Sequence, residues 1–114
     1  MLDTLGMFDA ALGLPEQLAA ATAAAREVDG LPDADGITSV AVLGMGGSGI
    51  GGDVCAAVAG PGCAVPIVVS KHYECPGFVG PGTLVVASSF SGNTEETVGA
   101  ARAAREAGAR LVVL

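Results

Sequence analysis

Two short apolar runs that pass directly into glycine- or serine-rich loops constrain the fold of this chain more than any other feature. Residues 39–43 run into a loop of glycines, and residues 83–88 run into a loop of hydroxyl side chains. Short apolar runs of this kind are typical of strands buried on both faces of a parallel sheet. Because a stretch of helical length follows each loop, the pattern predicts right-handed crossover connections.

Two further apolar runs complete the order strand–helix–strand–strand–helix–strand, which predicts a doubly wound parallel α/β sheet. In the sequence before the first of these strands, Pro15 and Glu16 are typical of the first turn of a helix. We expect one face of the helix that begins there to pack on other residues. This face consists of Leu14, Leu18, Thr22, Ala25 and Val28. The predicted helices are 4–12, 15–28, 48–59 and 94–107, and the predicted strands are 39–43, 66–70, 83–88 and 110–114.

These elements divide into a helical segment, residues 1–36, and an α/β domain, residues 37–114. A buried strand that ends the chain leaves its outer edge uncovered. We therefore expect either a truncated chain, incomplete at its C-terminal end, or a small domain that dimerises through that edge.

The composition favours the α/β interpretation and excludes several kinds of partner. Hydrophobic residues make up 51% of the 114 residues but aromatic residues only 4%, which suits small helices on a parallel sheet better than a β-sandwich. The net charge of −7 argues against nucleic acid and against an anionic membrane surface. It does not exclude a small anion held by backbone N–H groups at a helix start.

The cysteines and the N-terminus indicate a cytoplasmic protein. The three cysteines form no Cys-x-x-Cys pair, so neither a disulfide framework nor a zinc site is expected. No basic region precedes an apolar stretch at the N-terminus, so no signal peptide is predicted. No apolar run reaches the roughly 18 residues of a membrane helix.

The first loop, residues 44–53, reads Gly-Met-Gly-Gly-Ser-Gly-Ile-Gly-Gly-Asp. Its glycines allow close approach of a ligand, and the helix that follows would present free N–H groups to an anion, with Ser48 adding a hydroxyl. The loop also contains the spacing of a dinucleotide fingerprint. That fingerprint requires an acidic residue about 20 positions further on. Lys71 and His72 stand there instead, and Lys71 would suit a 2′-phosphate, so an NADP-binding oxidoreductase remains an alternative.

The second loop, residues 88–97, reads Ser-Ser-Phe-Ser-Gly-Asn-Thr-Glu-Glu-Thr. Asn93 and Glu96 have the spacing of a capping box, which explains those two residues structurally. It does not explain the hydroxyls around one glycine, which can surround a small anion with short donors. Both loops follow carboxyl ends of parallel strands, where open α/β sheets bind ligands. Together they predict one compact phosphate site.

These loops closely resemble the two signature loops of sugar-phosphate isomerase-type (SIS) domains, and more narrowly those of the bifunctional phosphoglucose/phosphomannose isomerases. Residues 14–17 and 73–79 fit the same family. The resemblance implies a flavodoxin-like fold, followed by a second SIS domain, and interconversion of glucose 6-phosphate or mannose 6-phosphate with fructose 6-phosphate. It implies no metal and no organic cofactor, a homodimer, and a phosphate site formed by Gly46, Gly47, Ser48, Ser89, Ser91 and Thr94.

The catalytic residues of that family lie beyond the end of this chain, so the resemblance assigns none of them here. An isomerase needs a base near the sugar C1–C2 and a ring-opening acid. His72 is a weak candidate, Asp53 is expected to anchor the glycine loop, and Glu95 and Glu96 suit the helix dipole. We therefore expect a binding half-site that is inactive alone. A non-catalytic SIS sugar-phosphate sensor is a further alternative, although the first 36 residues are too short and acidic for a DNA-binding helix-turn-helix.

Overall fold

A four-stranded parallel sheet forms the centre of the larger of two units in the computed structural model, which describes residues 4–114. This unit spans Pro32–Leu114, and the other reaches to Leu31. The strands are β1 (Ser39–Leu43), β2 (Ile67–Ser70), β3 (Thr83–Ala87) and β4 (Arg110–Val113). Their order, β2-β1-β3-β4, is that of the first four strands of a flavodoxin-like sheet. The predicted α/β class and parallel sheet are therefore confirmed.

The sheet register brings the ends of β1 and β3 together. Leu43 pairs with Ser70 of β2 on one side and with Ala87 of β3 on the other. The carboxyl end of β1 consequently lies in the middle of the sheet. The loops that leave β1 and β3 are neighbours at this edge.

Two helices in this unit pack on the sheet through small residues. Helix α3 (Gly46–Ala59) follows β1, and helix α4 (Glu95–Glu106) follows β3. A Cβ on Gly52 would lie 2.8 Å from Val42 Cγ1, so only glycine permits this helix–sheet distance. Ala100 and Ala104 play the same role in α4, where both are fully buried.

The predicted boundaries agree closely with the structure in this unit. Strand β1 has the predicted ends, and the other three strands differ by one residue at one end. Helix α3 begins two residues earlier than predicted. A 3₁₀ turn at Gly60–Gly62 was not predicted.

The smaller unit contains α1 (Met7–Leu12) and α2 (Leu14–Arg26), where the sequence predicts helices. Gln17 donates a side-chain hydrogen bond of 3.2 Å to the Ala10 carbonyl, which ties the two helices together. Within the smaller unit no residue of α2 is buried, and the packing of one face of α2 on other residues stays a prediction. Leu14 and Leu18 on that face are 53% and 60% exposed. The domain division at residue 36 stays a prediction, and its first three residues lie outside the described range.

None of the helices in residues 4–114 combines the length and the apolar character needed to cross a membrane.

Candidate functional site

The two sequence-predicted loops meet at the carboxyl edge of the sheet. The Ser88 N–H donates a 2.8 Å hydrogen bond to the Leu43 carbonyl, which joins the end of β3 to the end of β1. A Cβ on Gly44 would lie 3.1 Å from the Ser88 carbonyl oxygen. Glycine at position 44 therefore lets the glycine loop and the serine loop approach each other.

The glycine loop leads into an uncapped helix start. Gly46 has a φ of +52°, a left-handed conformation that favours glycine, and α3 begins at this residue. No side chain caps α3. The first N–H groups of a helix have no partner within the helix, so those of α3 are available to a ligand.

Gly44 and Gly49, two of the three glycines (with Gly46) that have the dinucleotide spacing, also have a packing role. A Cβ on Gly49 would lie 2.7 Å from the Gly44 carbonyl oxygen, and Gly49 is buried. Gly44 and Gly49 thus fit a tight strand-to-helix turn. Their spacing does not require a dinucleotide.

In the serine loop, the hydroxyls of Ser89, Ser91 and Thr94 form one hydrogen-bonded cluster. The Thr94 Oγ1 lies 3.0 Å from Ser89 Oγ and 3.4 Å from Ser91 Oγ. The Gly92 N–H donates to Ser89 Oγ, and the Asn93 N–H donates to Ser91 Oγ. Because each serine oxygen accepts a backbone hydrogen bond, its own proton is available to Thr94 or to a ligand.

The predicted capping box of Asn93 and Glu96 is wrong. The N-cap residue of α4 is Thr94, and no side chain caps the helix. Hydrogen bonding with Glu96 and the negative charge of Glu96 instead raise the pKa of Tyr73. The Thr94 hydroxyl lies within hydrogen-bond distance of the Ser89 and Ser91 hydroxyls and does not cap the backbone of α4. The start of α4 is therefore open like that of α3.

An open cleft of about 870 Å³ lies between the loops, within the size range of small-molecule sites. Five of the six predicted residues line it, and Gly46 lies next to them at the start of α3. Phe90 also lines the cleft and is fully exposed, at 105% of its reference area. The other lining residues that the sequence did not predict are Met45, Gly51, Ser88 and Leu114.

The lining of the cleft is neutral. None of its lining side chains, among residues 4–114, is acidic, basic or an imidazole. Partial positive charge at this edge of the sheet would come from the N-terminal ends of α3 and α4. Such a site suits a small anion such as a phosphate group.

The remaining candidate residues lie elsewhere. His72 lines a second, smaller cavity together with Glu74 and Cys75, not the main cleft. Asp53 forms an ion pair with Lys71. That Asp53 anchors the glycine loop stays a prediction, and the ammonium group that the NADP alternative requires is paired with Asp53.

The cysteines are free thiols. Cys55 and Cys63 are exposed, whereas Cys75 is half-buried, and burial raises the pKa of its thiol. A raised pKa lowers the thiolate fraction, so the Cys75 thiol is less reactive than a thiol with an ordinary pKa.

No protein-family model matches the chain. A bifunctional phosphoglucose/phosphomannose isomerase from Caldicellulosiruptor bescii is 37% identical over 108 residues, which is 95% of this chain and 32% of that protein. A protein of the same name from Thermoplasma acidophilum is 40% identical over 74 residues, 65% of this chain and 23% of that protein. The chain thus spans less than a third of the length of these curated relatives.

A solved structure from Salmonella typhimurium LT2, described as a candidate phosphosugar isomerase, shares the fold. It is 27% identical, with a TM-score of 0.50, and the match covers 75% of this chain and 31% of that one. The parallel sheet, its two loops and this likeness define a domain of the phosphosugar isomerase class. More narrowly, the chain belongs to the family of the bifunctional phosphoglucose/phosphomannose isomerases.

Proposed function

We propose that this chain is the phosphate-binding part of an aldose–ketose isomerase that interconverts glucose 6-phosphate or mannose 6-phosphate with fructose 6-phosphate. The observation that carries the proposal is the convergence of three hydroxyls and two uncapped helix starts on one cleft. The names of the relatives supply the substrate class.

The phosphate group would be held by neutral donors. The proposed ligands are Gly46, Gly47, Ser48, Ser89, Ser91 and Thr94. A hydrogen bond to a charged group contributes roughly 1.5–3 kcal/mol, so a few such donors are enough for a useful site. The helix dipoles add a favourable field for a dianion.

Isomerisation would need groups that the cleft walls do not provide. Moving a proton between sugar C1 and C2 requires a base, and opening the ring requires an acid. Because the lining side chains of the described residues are not titratable, these groups would come from outside the cleft. We therefore propose that this chain binds and orients the substrate and does not isomerise it alone.

The same observation favours a second candidate function, a sugar-phosphate sensor that binds without turnover. An isomerase assay of a longer chain that includes residues 1–114 separates the two. Binding by residues 1–114 is common to both.

We further propose a cytoplasmic homodimer. Strand β4 pairs with β3 alone among the described strands, and Val113 is 70% exposed, so this edge can accept a partner. The cysteine pattern and the relatives' metabolic role support the location.

Titration calorimetry of the purified chain with fructose 6-phosphate and with fructose tests the binding proposal. We expect binding of the phosphate ester only, weakened about tenfold or more by Ser89→Ala or Ser91→Ala. Asn93→Ala is the control, because it keeps the backbone donor and its side chain does not line the cleft. Equal binding of fructose, or unchanged affinity in both serine variants, would overturn the proposal.

A further inference from the structure

The first turns of α3 are poorly suited to hold a fixed conformation by themselves. Five of the first seven helical residues are glycine. Glycine is the least favourable helix residue apart from proline, because it loses the most backbone entropy. A turn that presents N–H groups to a ligand nevertheless has to keep them in place. Contacts from outside the helix must therefore supply the restraint.

Lys71, which directly follows β2, lies across this glycine-rich turn. A Cβ on Gly49 would be 3.0 Å from Lys71 Cε and 3.2 Å from Lys71 Cδ, so the missing side chain makes room for the lysine stem. The ammonium group pairs with the Asp53 carboxylate, one helical turn further along α3. Lysine thus covers Gly49 with its apolar part and is anchored by its charge.

We propose that the Lys71–Asp53 pair is a positioning device for the anion site: it fastens the first turns of α3 to the end of β2 and so holds the helix N–H groups toward the cleft. The proposal rests on the proposed function for the identity of the ligand. Both side chains are about half exposed, 41% for Lys71 and 50% for Asp53. An exposed pair contributes modestly, so the expected effect on affinity is about two- to fivefold.

A direct contact between Lys71 and the phosphate is the competing explanation. Lys71 is absent from the cleft lining in the described residues, and its ammonium group is engaged by Asp53. The two explanations predict opposite results for Asp53→Asn. Loss of the carboxylate would free the ammonium and remove a negative charge, so direct contact or long-range electrostatics predicts tighter binding. A positioning role predicts weaker binding.

The experiment measures fructose 6-phosphate affinity for wild type, Lys71→Met, Lys71→Arg and Asp53→Asn. We expect both Lys71→Met and Asp53→Asn to weaken binding about two- to fivefold, and Lys71→Arg to stay within about twofold of wild type. Arg105→Met, in the last turn of α4, removes one positive charge far from the loop and controls for net charge. It should not change the affinity beyond the same factor of about two.

Amide hydrogen exchange provides a second readout that does not depend on the ligand. We expect faster exchange for Gly49–Asp53 in Lys71→Met and Asp53→Asn, with circular dichroism unchanged. Unchanged exchange, or tighter binding in Asp53→Asn, would overturn the proposal. If wild type bound no sugar phosphate while exchange changed as expected, the proposed function would fail and the positioning of α3 would stand.

Discussion

The hydroxyls of Ser89 and Thr94 lie 3.0 Å apart across the start of α4, and Ser91 joins them at 3.4 Å from Thr94. Thr94 is therefore the central member of the cluster of three hydroxyls, and the turn around Gly92 positions this cluster. Hydrogen bonds within the serine loop hold these donors in place. Such preorganisation reduces the entropy cost of binding.

Replacing Thr94 with valine should weaken fructose 6-phosphate binding by about tenfold to a hundredfold. Valine keeps the shape of threonine but removes one donor to a charged group and leaves the two serines without their shared partner. Titration calorimetry measures the change. A loss of less than twofold would show that the Thr94 hydroxyl does not contact the ligand.

Thr97→Val should raise stability and leave binding unchanged. Thr97 lies in the same first turn of α4, is 4% exposed, and its Oγ1 has no hydrogen-bond partner in the described structure. An unsatisfied buried hydroxyl costs roughly 1–3 kcal/mol, so its removal should raise the free energy of unfolding by about 1 kcal/mol. Urea denaturation measures this. A destabilised variant would indicate a hidden partner, such as a buried water.

Phe90→Ala should weaken fructose 6-phosphate binding about fivefold and leave inorganic phosphate binding within about twofold. The fully exposed ring lines the cleft together with the proposed phosphate ligands, where it can cover the apolar C–H face of a sugar. Competition between the two ligands measures both affinities. Equal losses for both would indicate that Phe90 shapes the loop and does not contact the sugar.

The absorbance titration of Tyr73 should have a midpoint above 10, and Glu96→Gln should lower it. The hydrogen bond to Glu96 and its charge raise the pKa of Tyr73, and Glu95 adds a smaller effect. The pKa of Tyr73 in the folded state lies above its unfolded value of about 10. The interaction therefore contributes fully to the free energy of unfolding below about pH 10, and this contribution is lost as the pH rises through the raised pKa. The chain has one tyrosine and no tryptophan, so the signal is unambiguous. An unchanged midpoint in Glu96→Gln would contradict this link.

The sequence predicted most of the larger unit because its signals are local. The apolar run of β1 and the glycines after it determine a strand and a turn within a dozen residues. The sequence also predicted that the glycine loop and the serine loop share one edge, since parallel strands with crossovers require it.

Features that depend on residues distant in sequence were not predicted. The ion pair between Lys71 and Asp53 joins residues 18 positions apart that become neighbours through the pairing of β1 with β2. The capping prediction for Asn93 and Glu96 failed because α4 begins at Glu95 with Thr94 as its N-cap residue, one position later than that spacing assumes. The sequence did not indicate the exposure of Phe90, because it depends on which residues the fold brings next to the loop.

We propose above all that the glycine loop and the serine loop bind the phosphate of a sugar phosphate. Two-dimensional amide NMR during titration with fructose 6-phosphate tests it most directly, with fructose as the control. We predict shifts concentrated on the amides of Gly47, Ser48, Ser89, Ser91 and Thr94, and none with fructose. Shifts centred on the second cavity around His72 and Cys75, or no shifts with the phosphate ester, would contradict the account.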